Sequence, residues 1–209
     1  MWNEGRGNAS AVVERGVRYE SPLVGVQDLM QSHQAEASKY FRLSERPFLE
    51  LVNLRGDLND AAFVAAVASV LGCKPPAKPD TVALGDGCDV LWLGPDEWLV
   101  RSNEARAASL ETKLRVAFDG AYAAAVDVGS GYTVLEVGGE RVRDVLSRGC
   151  PLDLHPRLFT RGQCAQSHFF KASIVLIPTA ENTYEIVVRR SFADYFCRIL
   201  LDAAAPLMS

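Results

Sequence analysis

The chain is poor in the residues that build metal and redox centres. It has three histidines, His33, His155 and His168, too widely spaced to form an H-x-x-x-H pair, and five cysteines with no C-x-x-C among them. An odd set of separately placed thiols, Cys73, Cys88, Cys150, Cys164 and Cys197, fits reduced structural cysteines rather than a zinc site or a disulfide framework. Basic residues are neither in excess nor in runs. With 22 Lys and Arg against 26 Asp and Glu, the net charge is −4 and the pI about 5.4, which argues against a general binder of nucleic acid or anionic membrane. No apolar run has the length to cross a bilayer, and the first residues lack a basic segment followed by an apolar one, so a cytoplasmic protein is expected. There is no G-x-S-x-G, no Walker loop and no H-E-x-x-H. No catalytic, cofactor-binding or metal-ligating residue is therefore assigned.

What is present is the make-up of an ordinary globular protein: 209 residues, 48% hydrophobic and 23% charged. One stretch organises it. Val90 to Gly94 has no polar face and reads as a strand buried on both sides; Gly94-Pro95-Asp96-Glu97 is a β-turn with Pro at i+1, and Trp98-Leu99-Val100 resumes the strand. Two tryptophans flank the turn, and a buried indole N–H needs an acceptor. Asp96 and Glu97 read as a solvated turn rather than an acid/base pair, because adjacent turn carboxylates point apart.

Residues 1–20 hold several polar residues and no periodic apolar pattern, and read as a flexible or partner-binding arm; a lone aromatic such as Trp2 is usually unstructured there, but would serve as the anchor of an arm that folds onto a partner, and residues 21–209 read as a single domain. Ser21 to Gly25 is expected to be extended. Strands are expected at Tyr40–Leu43 and Pro47–Leu54, then a helix capped by Asp57 and stopped by Gly72, then a stiff Pro-rich connector over Lys74–Pro79. Thr81–Leu84 and Cys88–Leu93 read as strands joined through Gly85-Asp86-Gly87. Asn103 is placed as the cap of a helix that ends at Gly120. Ala123–Val128 reads as a buried strand and Tyr132–Val137 as its successor. The intervening Gly129-Ser130-Gly131 fails as a dinucleotide loop, since a strand follows where a helix is needed.

Arg141–Arg148 forms a short helix ended by Gly149, with interleaved acids that make its arginines a solvated face. Cys150–Pro156 is irregular. Strands follow at Gln163–Phe170, Ser173–Ile177 and Thr183–Arg189, and a last helix has Ser191 as cap and Asp194 at N3. The whole is an α+β pattern with mostly antiparallel sheet, and the order strand, strand, helix, strands, helix occurs before and again after Gly120, as in a pseudo-duplicated domain.

Several of these stretches resemble one family. Leu93-Gly94-Pro95-Asp96-Glu97-Trp98-Leu99, Val126-Asp127-Val128, the run from Arg143 through Gly149-Cys150-Pro151 to His155-Pro156, then Phe159, Gly162, Cys164 and Ala165, and finally Val188-Arg189-Arg190-Ser191-Phe192-Ala193 are similar, in order, to the gamma subunit of heterotetrameric sarcosine oxidase. The similarity spans about Ser21 to Pro206. It implies the folate-binding aminomethyltransferase-like fold and a place beside alpha, beta and delta subunits that oxidatively demethylate sarcosine to glycine. It also implies that FAD, FMN, NAD and tetrahydrofolate sit on those partners, with no catalytic residue carried by this chain. Two other readings stay open: the small subunit of a related complex such as N-methylglutamate dehydrogenase, and an independent folate-binding protein. The latter needs a carboxylate facing the folate ring; Asp127 is the candidate, against its reading as a structural acceptor of N–H groups.

Overall fold

In the computed structural model, which describes residues 13–14, 17–18, 20–37, 39–105 and 109–207, one supersecondary pattern occurs twice. Ahead of it, strands β1 (Val13–Glu14) and β2 (Val17–Arg18) pair with each other, and helix α1 (Gln27–Ala37) follows. The first copy runs β3 (Arg42–Arg46), β4 (Leu49–Arg55), α2 (Ala61–Leu71), β5 (Val82–Leu84), β6 (Cys88–Gly94), β7 (Glu97–Ala105) and α3 (Leu110–Phe118). The second runs β8 (Ala124–Asp127), β9 (Tyr132–Gly138), α4 (Val142–Leu146), β10 (Ala165–Phe169), β11 (Ala172–Ala180), β12 (Thr183–Arg189) and α5 (Ala193–Ala204).

The two five-stranded sheets have the orders β5-β6-β7-β4-β8 and β10-β11-β12-β9-β3, with every pairing antiparallel. The orders correspond strand for strand, except that each copy's first strand has crossed into the other's sheet. β8 lies beside β4, and β3 beside β9. The duplication around Gly120 is thus present, and the exchange of β3 and β8 locks the copies together.

Helices cover the outer face of each sheet. Phe63, Val67 and Leu71 of α2 and Leu114 and Phe118 of α3 pack on Val52, Leu54, Val90, Trp98 and Val100. Met30 of α1, Val142, Val145 and Leu146 of α4 and Phe196 and Leu200 of α5 pack with Leu43, Leu135, Val137 and Ile186. A third cluster, with Leu49, Leu51, Leu91 and Leu99 from one sheet and Val134, Ile177 and Val187 from the other, fills the space between the sheets. A strand with helices on one face and a second sheet on the other is apolar throughout, which is why Val90 to Leu93 shows no alternation. At one edge the sheets are joined: Val82 N donates to Gly162 O at 2.9 Å and Cys164 N to Asp80 O at 3.0 Å, around the bridge pair Thr81 and Gln163.

The Gly94 to Glu97 turn reverses the chain as expected, and Trp92 stands opposite Trp98. Trp98 is fully buried, and its indole donates to Pro76 O at 2.9 Å, so the Pro-rich connector supplies the acceptor the sequence demanded. Gly72, at φ +72°, ends α2 by donating to Ala68 O.

Several expectations are corrected. Asp60, not Asp57, caps α2 through Ala62 N, while Asp57 accepts from Asn59. Asn103 lies within β7, and Ser109 caps α3. Ser191 caps nothing: it sits in a 3-10 turn and α5 starts after Phe192. The last helix would be read with an apolar stripe of Phe192, Tyr195, Phe196, Ile199, Leu200 and Ala203, but the buried face is rotated: Phe192 and Tyr195 are exposed, and Cys197, Leu201 and Ala204 are buried in their place. Ser21 to Gly25 is a turn rather than extended chain, because Ser21 Oγ accepts from Leu23 N. β11 runs past Ile177 through Pro178 to Ala180; Pro178 is tolerated there because β10 pairing stops at Leu176. The reading of residues 1–20 as an arm, with Trp2, falls largely outside the described residues.

Candidate functional site

The polar centre of the molecule lies between the sheets. Asp89 and Arg101 stand directly opposite each other on β6 and β7, and Glu185 reaches toward them from β12 of the other sheet. Arg101 donates through Nη1 to Glu185 and through Nη2 to Asp89, with a second contact from Nη2 to Asn103 Oδ1 at 3.3 Å. Arg46 of β3 donates to the other oxygen of Glu185 and to Asn103 O. Arg101 is 3% exposed and Glu185 1%, so this is a buried ionic bridge rather than a surface pair. The Nε of Arg101 is buried without a partner. Desolvation offsets most of what such a bridge gains, but removing one member strands a charge in the interior. A cleft of about 340 Å³ lies over the bridge and also takes in Arg161 and Glu136.

A second cleft, of about 510 Å³, opens between the sheets where the exchanged strands β3 and β8 lie. Its walls are the equivalent first connections of the two copies, Phe48 to Leu51 and Gly129 to Val134. Asp127 lines it, but not from a buried strand. β8 is an exposed edge strand on which Ala125 alone is buried, because the helix α3 covers only one side of it. The Oδ1 of Asp127 accepts from Gly129 N at 2.8 Å and shapes the turn into β9. Glu50 faces the same cleft with its carboxylate at the start of α3, accepting from Glu111 N at 3.1 Å. Burial raises the Glu50 pKa; its hydrogen bonds at the α3 terminus oppose this, while the Asp127 charge adds to it. Glu45 accepts from Ser21 and from Thr133 Oγ1, the latter at 2.6 Å, and Arg190 donates to Glu20 O at 3.0 Å. A pterin-like ring needs a carboxylate free to face its N–H groups, and Asp127 has one oxygen engaged with Gly129.

The other sequence candidates are not brought together. Asp96 and Glu97 pair with Arg55 at 3.3 and 2.8 Å, and Glu97 accepts from Asn53, so the turn is a surface salt-bridge cluster. Gly129 to Gly131 is a 3-10 turn that feeds a strand. Among the described residues no group of three or more His, Cys, Asp or Glu side chains is arranged to hold a metal. All five cysteines are free, and burial pushes the thiols of Cys88, Cys164 and Cys197 up to about 12. Arg141 pairs with Asp144 at 2.9 Å and Arg143 donates to Tyr184 Oη at 3.1 Å. Among the described residues no helix is long and apolar enough to cross a membrane.

A duplicated antiparallel α+β chain with exchanged first strands is the architecture of the aminomethyltransferase-like fold. Aminomethyltransferase T of the glycine cleavage system from Bartonella henselae aligns with a TM-score of 0.64 at 14% identity, over 92% of this chain and 53% of that one. A chain of heterotetrameric sarcosine oxidase from Corynebacterium sp. U-96, solved in complex with pyrrole 2-carboxylate, aligns with a TM-score of 0.83 at 30% identity, over 91% of this chain and 97% of that one. The sarcosine oxidase gamma subunits of Corynebacterium sp. strain P-1 and of an Arthrobacter species are 31% and 32% identical, over 84% and 80% of this chain and 86% and 81% of theirs. The model of the sarcosine oxidase, gamma subunit family matches residues 55–206, and the chain belongs to that family.

Proposed function

We propose that the chain is a non-catalytic accessory subunit of a heterotetrameric sarcosine oxidase, assembled with alpha, beta and delta chains. Sarcosine is oxidatively demethylated to glycine on those partners, which carry FAD, FMN, NAD and tetrahydrofolate and form hydrogen peroxide and methylene-tetrahydrofolate. The observation that carries this reading is the correspondence of 91% of the chain with 97% of a chain from a heterotetrameric sarcosine oxidase. The internal chemistry supports the accessory role. Glu185, Arg101, Arg46 and Asp89 bind one another, Asp127 shapes a turn and the most buried thiols are held protonated, so each has a structural task. Residues 1–20 are assigned to partner contact and residues 21–209 to one folding unit.

The test is to express the chain with and without the products of its neighbouring genes and to measure mass and flavin absorbance of what co-purifies. Co-purification with larger flavin-bearing chains, whose turnover requires sarcosine, is the expected result. Preference of that assembly for another N-methyl amino acid, such as N-methylglutamate, would move the chain to a related dehydrogenase. A lone, stable chain that binds folate in calorimetry, or that itself binds flavin, would overturn the accessory role.

A further inference from the structure

We propose that Arg148, Phe170 and Lys171, continued by the rigid loop from Pro151 to Leu158, form the surface through which this subunit docks onto an acidic face of a partner chain. The proposal rests on the accessory-subunit reading above and adds where the contact is made and what chemistry the partner presents.

Residues 148–171 contain four Lys and Arg and one Asp in a chain whose net charge is −4. Elsewhere arginines such as Arg55, Arg115, Arg141 and Arg198 are neutralised by neighbouring carboxylates. Arg148, Arg157, Arg161 and Lys171 are exposed and make no ion pair among the described residues. Unpaired cations grouped on one stretch of an acidic protein fit a carboxylate-rich partner, and they also discourage self-association through that stretch.

Phe170 sits at the tip of the β10–β11 hairpin with φ +49° and is 45% exposed. A phenylalanine in the left-handed region is an outlier where Gly or Asn would be relaxed, and so much exposure returns little of that strain through burial. The surroundings nevertheless hold the ring in place. Phe170 N donates to Gly149 O at 2.9 Å, and the ring meets Phe169 edge-on at 5.1 Å. A Cβ on Gly149 would come within 2.5 Å of Phe170 Cδ2, so the glycine makes room for the ring. An exposed aromatic followed in the chain by Lys171 and seated on Gly149, next to Arg148, has the composition of an interface anchor with a charged rim.

Leu152, Leu154 and Phe159 fix the loop that leaves Cys150 from beneath, the last stacked on Tyr184 at 6.4 Å. Asp153 accepts from His155 N at 2.9 Å, and His155 O accepts from Leu158 N at 2.8 Å. Leu158 is left 61% exposed on this preorganised frame. A loop already ordered loses little entropy on docking.

The test uses the whole complex, with dissociation of this subunit on dilution followed by mass photometry at low and high salt. Phe170→Asn relaxes the backbone, so a structural role would leave assembly unchanged or improved; docking predicts that the complex falls apart at roughly 30-fold higher concentration or more. The double variant Arg148→Glu, Lys171→Glu should weaken assembly about tenfold at low salt and less at high salt, whereas Lys113→Glu on α3 should leave it unchanged. If the native chain fails to join flavin-bearing partners at all, the accessory reading fails and this proposal with it. If the native chain joins and the Phe170 and Arg148/Lys171 variants dissociate as it does, the docking surface alone is wrong. Equal weakening by Lys113→Glu, or competition for this face by a duplex oligonucleotide, would also overturn it.

Discussion

Arg101 of one sheet donates to Glu185 of the other, and both side chains are buried. Glu185 also takes Arg46, and Arg101 also takes Asp89, so four charges from four strands are closed on one another between the sheets. Replacing Glu185 by Ala removes the acceptor shared by both arginines, and should destabilise the fold by about 3–5 kcal/mol. Arg46 is part-exposed and can turn to water, but Arg101 cannot. Replacing Arg101 by Met together with Glu185 by Leu, and Asp89 by Asn so that no carboxylate is left without Arg101, should recover much of the loss, since an apolar pair of similar volume carries no ionic desolvation cost. Urea unfolding measures both; a Glu185→Ala midpoint equal to that of the native chain would show that the bridge does not hold the sheets.

That bridge was the least legible part of the molecule. The Gly94 turn, the Pro-rich connector and the strands around them could be read because their residue types act locally. Even the doubled order of elements was visible around Gly120. The exchange of β3 and β8 was not, since pairing between distant strands leaves no mark on either one. For the same reason Ala123–Val128 reads as a buried strand at what is an exposed edge. Helix α1 leaves a faint sequence signal, because its described apolar contacts are few, with Met30 in the core and Leu29 beside it. A sign of the bridge does exist: Arg101 directly follows the apolar run Trp98-Leu99-Val100, and Glu185 stands between Tyr184 and Ile186, each a charge set beside buried apolar strand residues.

Trp98 should respond to the loss of one hydrogen bond. Its indole N–H is the tie between the core and Pro76 O, and phenylalanine keeps much of the ring contact with Phe63, whose centroid is 5.8 Å away. Trp98→Phe leaves Pro76 O without its donor and a gap beside Phe63, for a combined cost of about 2–3 kcal/mol. Proteolysis should then cut first in the Lys74 to Pro79 connector. Unchanged cleavage kinetics there would mean that the connector is held by other contacts.

The thiols should divide by burial. With their pKa pushed up to about 12, Cys88, Cys164 and Cys197 expose about one thiolate in ten thousand at pH 8. Cys73 is also raised, by burial first and by the charges of Asp89 and Asp86 second, but it is the one cysteine that reaches solvent. Iodoacetamide followed by peptide mass spectrometry should therefore label Cys73 first in the folded chain, and Cys88, Cys164 and Cys197 only in urea. Early labelling of Cys164 would contradict its place between the sheets.

Glu50 gives the pH dependence a sign. Burial raises its folded pKa above the ordinary 4.5, so the native state holds this proton to higher pH than the unfolded chain does. Its favourable contribution is complete below the unfolded value and is lost as pH rises through the folded one. Glu50→Gln keeps an oxygen for Glu111 N and cannot ionise. The variant should match the native chain in acid and gain on it in urea midpoint toward neutral pH. A gain that instead appeared in acid would mean the carboxylate is stabilised, not opposed, by its site.

Asp127 separates a structural cleft from a working one. Its Oδ1 holds Gly129 N at 2.8 Å, a contact that Asn can also make and Ala cannot. On the accessory reading, Asp127→Asn assembles with its partners and leaves sarcosine turnover unchanged, while Asp127→Ala lowers stability by about 0.5–1.5 kcal/mol with turnover still intact. Asp127→Asn also removes the charge that helps raise Glu50, so the Glu50 effect on stability should shrink in that background. If Asp127→Asn assembled normally but lost turnover, the loss could not be assigned to the Gly129 turn. The carboxylate would then be acting on something bound in the 510 Å³ cleft, and the chain would have to be counted among the catalytic subunits.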